Sequence, residues 1–186
     1  LYTNRELKVK LKQENESFAE ALRVRSLACD DFLDMIALSK MGAFAAKKGL
    51  FNSDRSLRLA FIGAGTLQPL ADFFAHLVRA HGFSVTLFVG EYGSYVQEIL
   101  QREGSLYQFE PDVVVLLPNP VHSLSKTGLT ASSEAQTRHI ELASAEIIQW
   151  CQIIRDQAQC RTILLNFPLP GQCDLGAFRA RSHGSS

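Results

Sequence analysis

Along the chain, short runs of apolar residues alternate with longer segments in which apolar residues recur every three or four positions. Residues 57–62, 83–89, 112–117 and 161–166 read as strands. The third contains Val113-Val114-Val115-Leu116-Leu117, apolar at consecutive positions as a strand covered on both faces requires. Residues 67–80 read as a helix with Pro69 in its first turn, where a proline is tolerated. Residues 96–102 read as a short helix, and a long polar connection at 122–133 follows the third strand. A long helix is expected over 134–157, with Ile140, Ala143, Ile147, Cys151 and Ile154 on one stripe and Ser133 and Gln136 spaced as a capping box. This alternation predicts a doubly wound parallel sheet, a three-layer α/β/α sandwich of flavodoxin-like type.

The first fifty residues follow a different rhythm. Leu7, Val9 and Leu11 alternate, after which Phe18, Leu22, Leu27, Phe32 and Ile36 take a spacing closer to a helix. Lys47-Lys48-Gly49 supplies a stop signal, with cations in the last turn and glycine beyond it. The expected organisation is a helical appendage over 1–52, a linker around Asn52-Ser53-Asp54, and an α/β domain over 53–186 that ends in a Gly/Ser-rich tail. No internal repeat or low-complexity segment interrupts it.

In open parallel sheets, ligands bind beyond the carboxyl ends of the strands. The residues there are Gly63-Ala64-Gly65-Thr66, Gly90-Glu91-Tyr92-Gly93, Pro118-Asn119-Pro120 and Asn166-Phe167-Pro168. A site, if one exists, is therefore lined by Gly63, Gly65, Thr66, Gln68, Glu91, Tyr92, Asn119 and Asn166. The first of these turns resembles a dinucleotide fingerprint only in part, because Gln68 stands where a third small residue is required and Glu91 comes late for a ribose ligand. No G-x-x-x-x-G-K-[ST] run and no D-x-D-x-[TV] loop is present. The start of the helix after Gly65 retains the N–H groups and dipole that favour an anion. As a hydrolase the same turn offers only Thr66, with His122 as the sole histidine expected on that edge of the sheet. His76, His81 and His139 fall on or beside helices and read as surface or packing residues. Asp30, Asp31 and Asp34 read as a solvated acidic face.

Charge and cysteine content narrow the partners further. Nineteen basic residues balance nineteen acidic ones, so no global field draws nucleic acid or an anionic membrane. The longest apolar run is far short of the roughly 20 residues a membrane helix needs. Cys29, Cys151, Cys160 and Cys173 form no C-x-x-C pair and no zinc-spaced cluster, and read as free thiols of a reducing cytoplasm. The first residue is Leu rather than Met, and no leader segment is evident, so the chain is read as part of a longer polypeptide.

The segments LRLAFIGAGTLQPLADFF, VTLFVGEYGSYVQEIL, LYQFEPDVVVLL and ILLNFPLP, in that order and spacing, resemble the N-terminal domain of FkbH-like proteins over about residues 57–181. GEYGSYVQEIL is the most specific of them. The resemblance implies an SGNH-hydrolase-like fold in a bacterial polyketide-biosynthesis protein that loads a glyceryl unit from 1,3-bisphosphoglycerate onto an acyl carrier protein. In such proteins the chemistry belongs to a following haloacid-dehalogenase-type domain with an aspartate nucleophile and Mg²⁺. No cofactor is expected for the present segment itself. Where an SGNH hydrolase carries G-D-S, this chain has Gly63-Ala64-Gly65-Thr66. Its G-x-N-D motif is reduced at most to Asn119, and the late D-x-x-H is missing, since Asp174 has no histidine three residues on. The expectation is an accessory domain without catalysis, contacting a carrier protein or the neighbouring catalytic domain, with Arg23, Arg25, Lys47 and Lys48 as contacts for an acidic partner. The alternatives are a residual esterase or acyltransferase using Thr66 and His122, and a nucleotide-binding module.

Overall fold

A computed structural model describes residues 2–13, 17–50, 54–118 and 132–166. The helical opening resolves into α1 (Asn4–Lys12), α2 (Ser17–Leu27) and α3 (Phe32–Lys47). Leu7, Val9 and Leu11 lie within the first of the expected helices. Leu7 and Leu11, one turn apart, are buried while Val9 is exposed, and Thr3 and Glu6 close a capping box at the start. Asp31 caps α3 through Asp34 N–H, and Gly49 adopts positive φ just beyond its end. Leu7, Leu11, Phe18, Leu22, Leu38 and Met41 form a core that belongs to these three helices alone. Leu27 and Phe32, which the apolar spacing placed on a buried stripe, are exposed instead.

The second part runs β1 (Ser56–Gly63), α4 (Gln68–Ala80), β2 (Ser84–Val89), α5 (Tyr95–Leu100), α6 (Ser105–Gln108), β3 (Val113–Leu117), α7 (Ser133–Ala158) and β4 (Arg161–Leu164). The strands form one parallel sheet in the order β2-β1-β3-β4. β1 is central and buried on both faces, which is why it reads as a nearly continuous apolar run. Ala60 and Ile62 point to the side covered by α5, α6 and α7, where Ile99, Leu106, Trp150 and Ile154 meet Val114 and Leu116. Leu59 and Phe61 point to the side covered by α4, together with Leu67, Ala71 and Val115. The expected α/β sandwich is therefore present, and α2 and α3 add a further layer by packing on α4. No helix among the described residues is long and apolar enough to cross a membrane.

Three local expectations are corrected. The helix after the polar connection is capped by Ser132, which accepts from Ala135 N–H, so the Ser133–Gln136 box is out of register and Gln136 is buried. Ile140 does not join the buried stripe, being 56 % exposed. At 1.5 Å per residue α7 is about 39 Å long, whereas β3 spans only about 17 Å. The end of α7 that carries Trp150 and Ile154 covers the sheet and turns directly into β4, while in its first half Gln136 and Ala143 are buried and Ile140 and Leu142 are exposed. Third, the segment after α5 contains the single-turn helix α6, too short for periodicity to register. The polar connection itself, the linker and the tail lie outside the described residues.

α7 terminates at Gln159 in the left-handed conformation (φ 51, ψ 32), its N–H donating to Arg155 O. A side chain there opposes the backbone's preference. Gln159→Gly should raise stability by about 0.5–1 kcal/mol, read as a higher urea midpoint with an unchanged slope.

Candidate functional site

β1 and β3 are the neighbours between which the chain changes direction, so the crevice expected to receive a ligand opens between Gly63 and Leu117. The geometry gives Gly63 another task. A Cβ at this position would lie 2.3 Å from Leu117 O and 2.9 Å from Leu117 Cβ. Ala64 N–H donates to the same carbonyl at 3.0 Å. The first glycine is thus required by the approach of two strands. Gly65 has open space where its side chain would be. Thr66 and Gln68 are exposed, and the Gln68 amide donates to Asp72 Oδ1 within the first turn of α4. Leu67 occupies the N-cap of α4 without a side-chain cap.

The loop after β2 is similarly tied to the fold. Glu98, on α5, turns its carboxylate back over the loop, where Oε1 accepts from Glu91 N–H at 3.1 Å and from Ser94 Oγ at 2.9 Å. Gly90 makes room for it, since a Cβ there would fall 2.6 Å from Glu98 Oε2. Gly93 adopts φ +75, in the region that favours glycine. Tyr95 packs edge-on against Trp150 with ring centroids 5.5 Å apart. Most of GEYGSYVQE is therefore accounted for as a loop strapped down by one carboxylate. The spacing Ser94-x-x-x-Glu98 at a helix start was the sequence signal that could have pointed to Glu98. Glu91 and Tyr92 remain exposed, as does Asn166 beyond β4.

Gly63, Gly65, Thr66, Gln68, Glu91, Tyr92 and Asn166 accordingly share the carboxyl edge of the sheet, most of them open to solvent. Asn119 and His122 lie outside the described residues. His139 lies in the second turn of α7, with a buried Nε2 that has no hydrogen-bond partner among the described residues. The remaining two described histidines are elsewhere. His76 is buried under α2 and α3, and His81 sits at the far end of α4 with Nδ1 bonded to Leu77 O at 2.8 Å. Among the described residues no group of three or more His, Cys, Asp or Glu could hold a metal ion. A groove of about 540 Å³ opens at the opposite, amino edge, lined in part by Leu57, Glu110, Asp112, Gln159 and Cys160. Its thiol is no ready nucleophile, because burial pushes Cys160 up from the ordinary thiol range.

These features define a parallel α/β domain whose edge glycines serve backbone packing. No protein-family model and no curated protein matches the sequence. A solved structure shares the fold: the N-terminal part of the protein BF1531 from Bacteroides fragilis, containing a phosphatase domain and complexed with Mg. The two are 19 % identical with a TM-score of 0.52, over all of this chain and 38 % of that one. The likeness establishes the fold alone.

The two glycines of the first turn should behave oppositely. Gly63→Ala should lower stability by about 1–3 kcal/mol through the clash with Leu117, while Gly65→Ala should change it by less than about 0.5 kcal/mol. Urea unfolding of both variants checks this, and equal effects would contradict the packing role of Gly63.

Proposed function

We propose that this chain is an accessory, non-catalytic SGNH-like domain of an FkbH-like protein, working beside a phosphatase-type domain that transfers a glyceryl unit to an acyl carrier protein. The observation that carries this reading is the turn after β1. It stands where an SGNH hydrolase keeps its serine, yet Gly63 is consumed by strand packing and Thr66 is exposed, with no hydrogen bond to any described histidine. The solved structure with the same fold also contains a phosphatase domain, which supports placing this fold next to such chemistry. Mg²⁺ belongs, on this reading, to the catalytic neighbour.

The charge pattern on the helices narrows how an acidic carrier would be met. Arg23 is held by both oxygens of Glu20, Arg25 by Asp34, and Lys48 lies over the Phe44 ring, 5.4 Å from its centroid. Exposed cations remain at Arg5, Lys8 and Lys12, spaced three and four apart along one side of α1, and at Lys47. Contact through α1 would be long-range and sensitive to salt.

Titrating the isotope-labelled chain with holo and glyceryl-loaded carrier protein tests this directly. Shifts confined to α1 and reduced severalfold by Lys8→Glu with Lys12→Glu are the expected result. An absence of shifts at several hundred micromolar would remove the carrier as a direct partner. Hydrolysis of p-nitrophenyl acetate is expected to stay at background. Turnover abolished by Thr66→Ala would instead establish the esterase alternative, and a thermal shift with NAD, NADP or ATP the nucleotide one.

A further inference from the structure

The helical unit and the sheet each have a core of their own, and α2 and α3 meet α4 along a seam between them. At that seam lies His76, 1 % exposed. Its Nε2 is 2.9 Å from Ser26 Oγ on α2. The Ser26 hydroxyl already donates to Leu22 O at 2.7 Å, so the ring must be the donor and the proton resides on Nε2. Nδ1 is then an unprotonated nitrogen, buried and without a hydrogen-bond partner among the described residues. It faces α3 at Gly42, where a Cβ would lie only 2.5 Å away. This arrangement accommodates a neutral imidazole and nothing else. A second proton would have to sit on Nδ1, against glycine backbone, with no acceptor.

The surrounding charges offer no rescue. On α4, Asp72 accepts from Gln68 and Arg79 donates to Val85 O, its cation lying one turn from the ring. On α2, Arg23 pairs with Glu20 and Arg25 with Asp34 of α3; on α3, Lys40 and Lys47 are exposed. β2, which also packs on α4, carries no ionisable side chain.

We propose that His76 is a proton-operated latch: neutral, it holds α1–α3 on α4, and its protonation frees the helical unit and uncovers the side of α4 that carries Asp72, Phe73 and His76. The two separate cores let the parts come apart without either melting. Burial, with a smaller contribution from Arg79, lowers the His76 pKa from 6.5 to about 4. The freed histidine takes up a proton at about 6.5. Docking is therefore complete above that pH, weakens as pH falls toward 4, and levels off below it.

Hydrogen exchange of the whole chain, corrected for intrinsic rates, tests the latch. Between pH 7 and pH 4.5 the opening constant of α1–α3 should rise about sixtyfold, while β1 and β3 keep their protection. His76→Gln retains an amide donor for Ser26 but cannot titrate, so its helices should change less than threefold. Equal opening in that variant, or loss of protection in the sheet together with the helices, would overturn the proposal. Should His76→Gln fail to dock at neutral pH, NMR of the wild-type imidazole decides. Protonation and helix opening must share one midpoint, and a ring that titrates near 6.5 with the helices still docked rules the latch out.

Discussion

The backbone of β1 lies so close to that of β3 at Gly63 that no side chain fits between them, and the rest of the domain is arranged around that approach. The central strand is paired on both sides and buried on both faces, so its residues have no freedom to move away. Ala64 then ties the departing chain to the same Leu117 carbonyl. That tether sets where the turn lies and where α4 starts its return across the sheet. A glycine at this point would be needed whether or not any ligand had ever been bound there. The loop over β2 repeats the logic with a carboxylate in place of a carbonyl: Glu98 draws Glu91 and Ser94 together and leaves Gly90 no room for a side chain. Gly63 in one loop and Gly90 and Gly93 in the other are thus explained by what the backbone must do, while Gly65 is not.

This bears on the proposed reading, in which the fold is kept without a catalytic turn. A catalytic turn needs a nucleophile held still and a base aimed at it. Here Thr66 is exposed, His76 is bonded to Ser26, His81 is bonded to Leu77 O, and His139 near the start of α7 has no hydrogen bond to Thr66. The sheet, its two apolar faces and its strand order are built without any of those groups, so the architecture does not depend on them.

The sheet and its covering helices were legible because burial on both faces leaves a plain record. Val113–Leu117 has no polar position to confuse the reading, and Ile147, Cys151 and Ile154 follow the sheet they cover. Legibility failed where local and tertiary demands diverged. Leu27 and Phe32 keep a helical spacing yet are exposed, because one ends α2 and the other begins α3. Ile140 keeps the period of the stripe and is exposed, although Ala143 three positions on is buried, since periodicity carries no information about where the partner surface lies. The candidate site was legible as a set of residues at one edge, but the reason for Gly63 was not. It depends on Leu117, fifty-four positions away, and only pairing of the strands brings the two together.

His76 is the strongest instance of that limit, and it also shows what a buried polar group contributes to a seam between two cores. In the sequence it interrupts a helix otherwise suited to packing, and neither Ser26 nor Gly42 is within thirty positions of it. Apolar side chains alone would let α2 and α3 slide along α4 with little change in the area they bury. The histidine, together with Ser39 Oγ of α3 donating to Asp72 O of α4 at 3.2 Å, restricts that freedom. Only one placement gives Nε2 a hydroxyl oxygen already oriented by Leu22 O and leaves Nδ1 the space above Gly42. Any other would strand a donor as well as an acceptor in a dry interface, at a cost of about 1–3 kcal/mol for each. The same contact that makes the docked arrangement unique makes it depend on the imidazole staying neutral, so register and proton sensitivity have one structural origin.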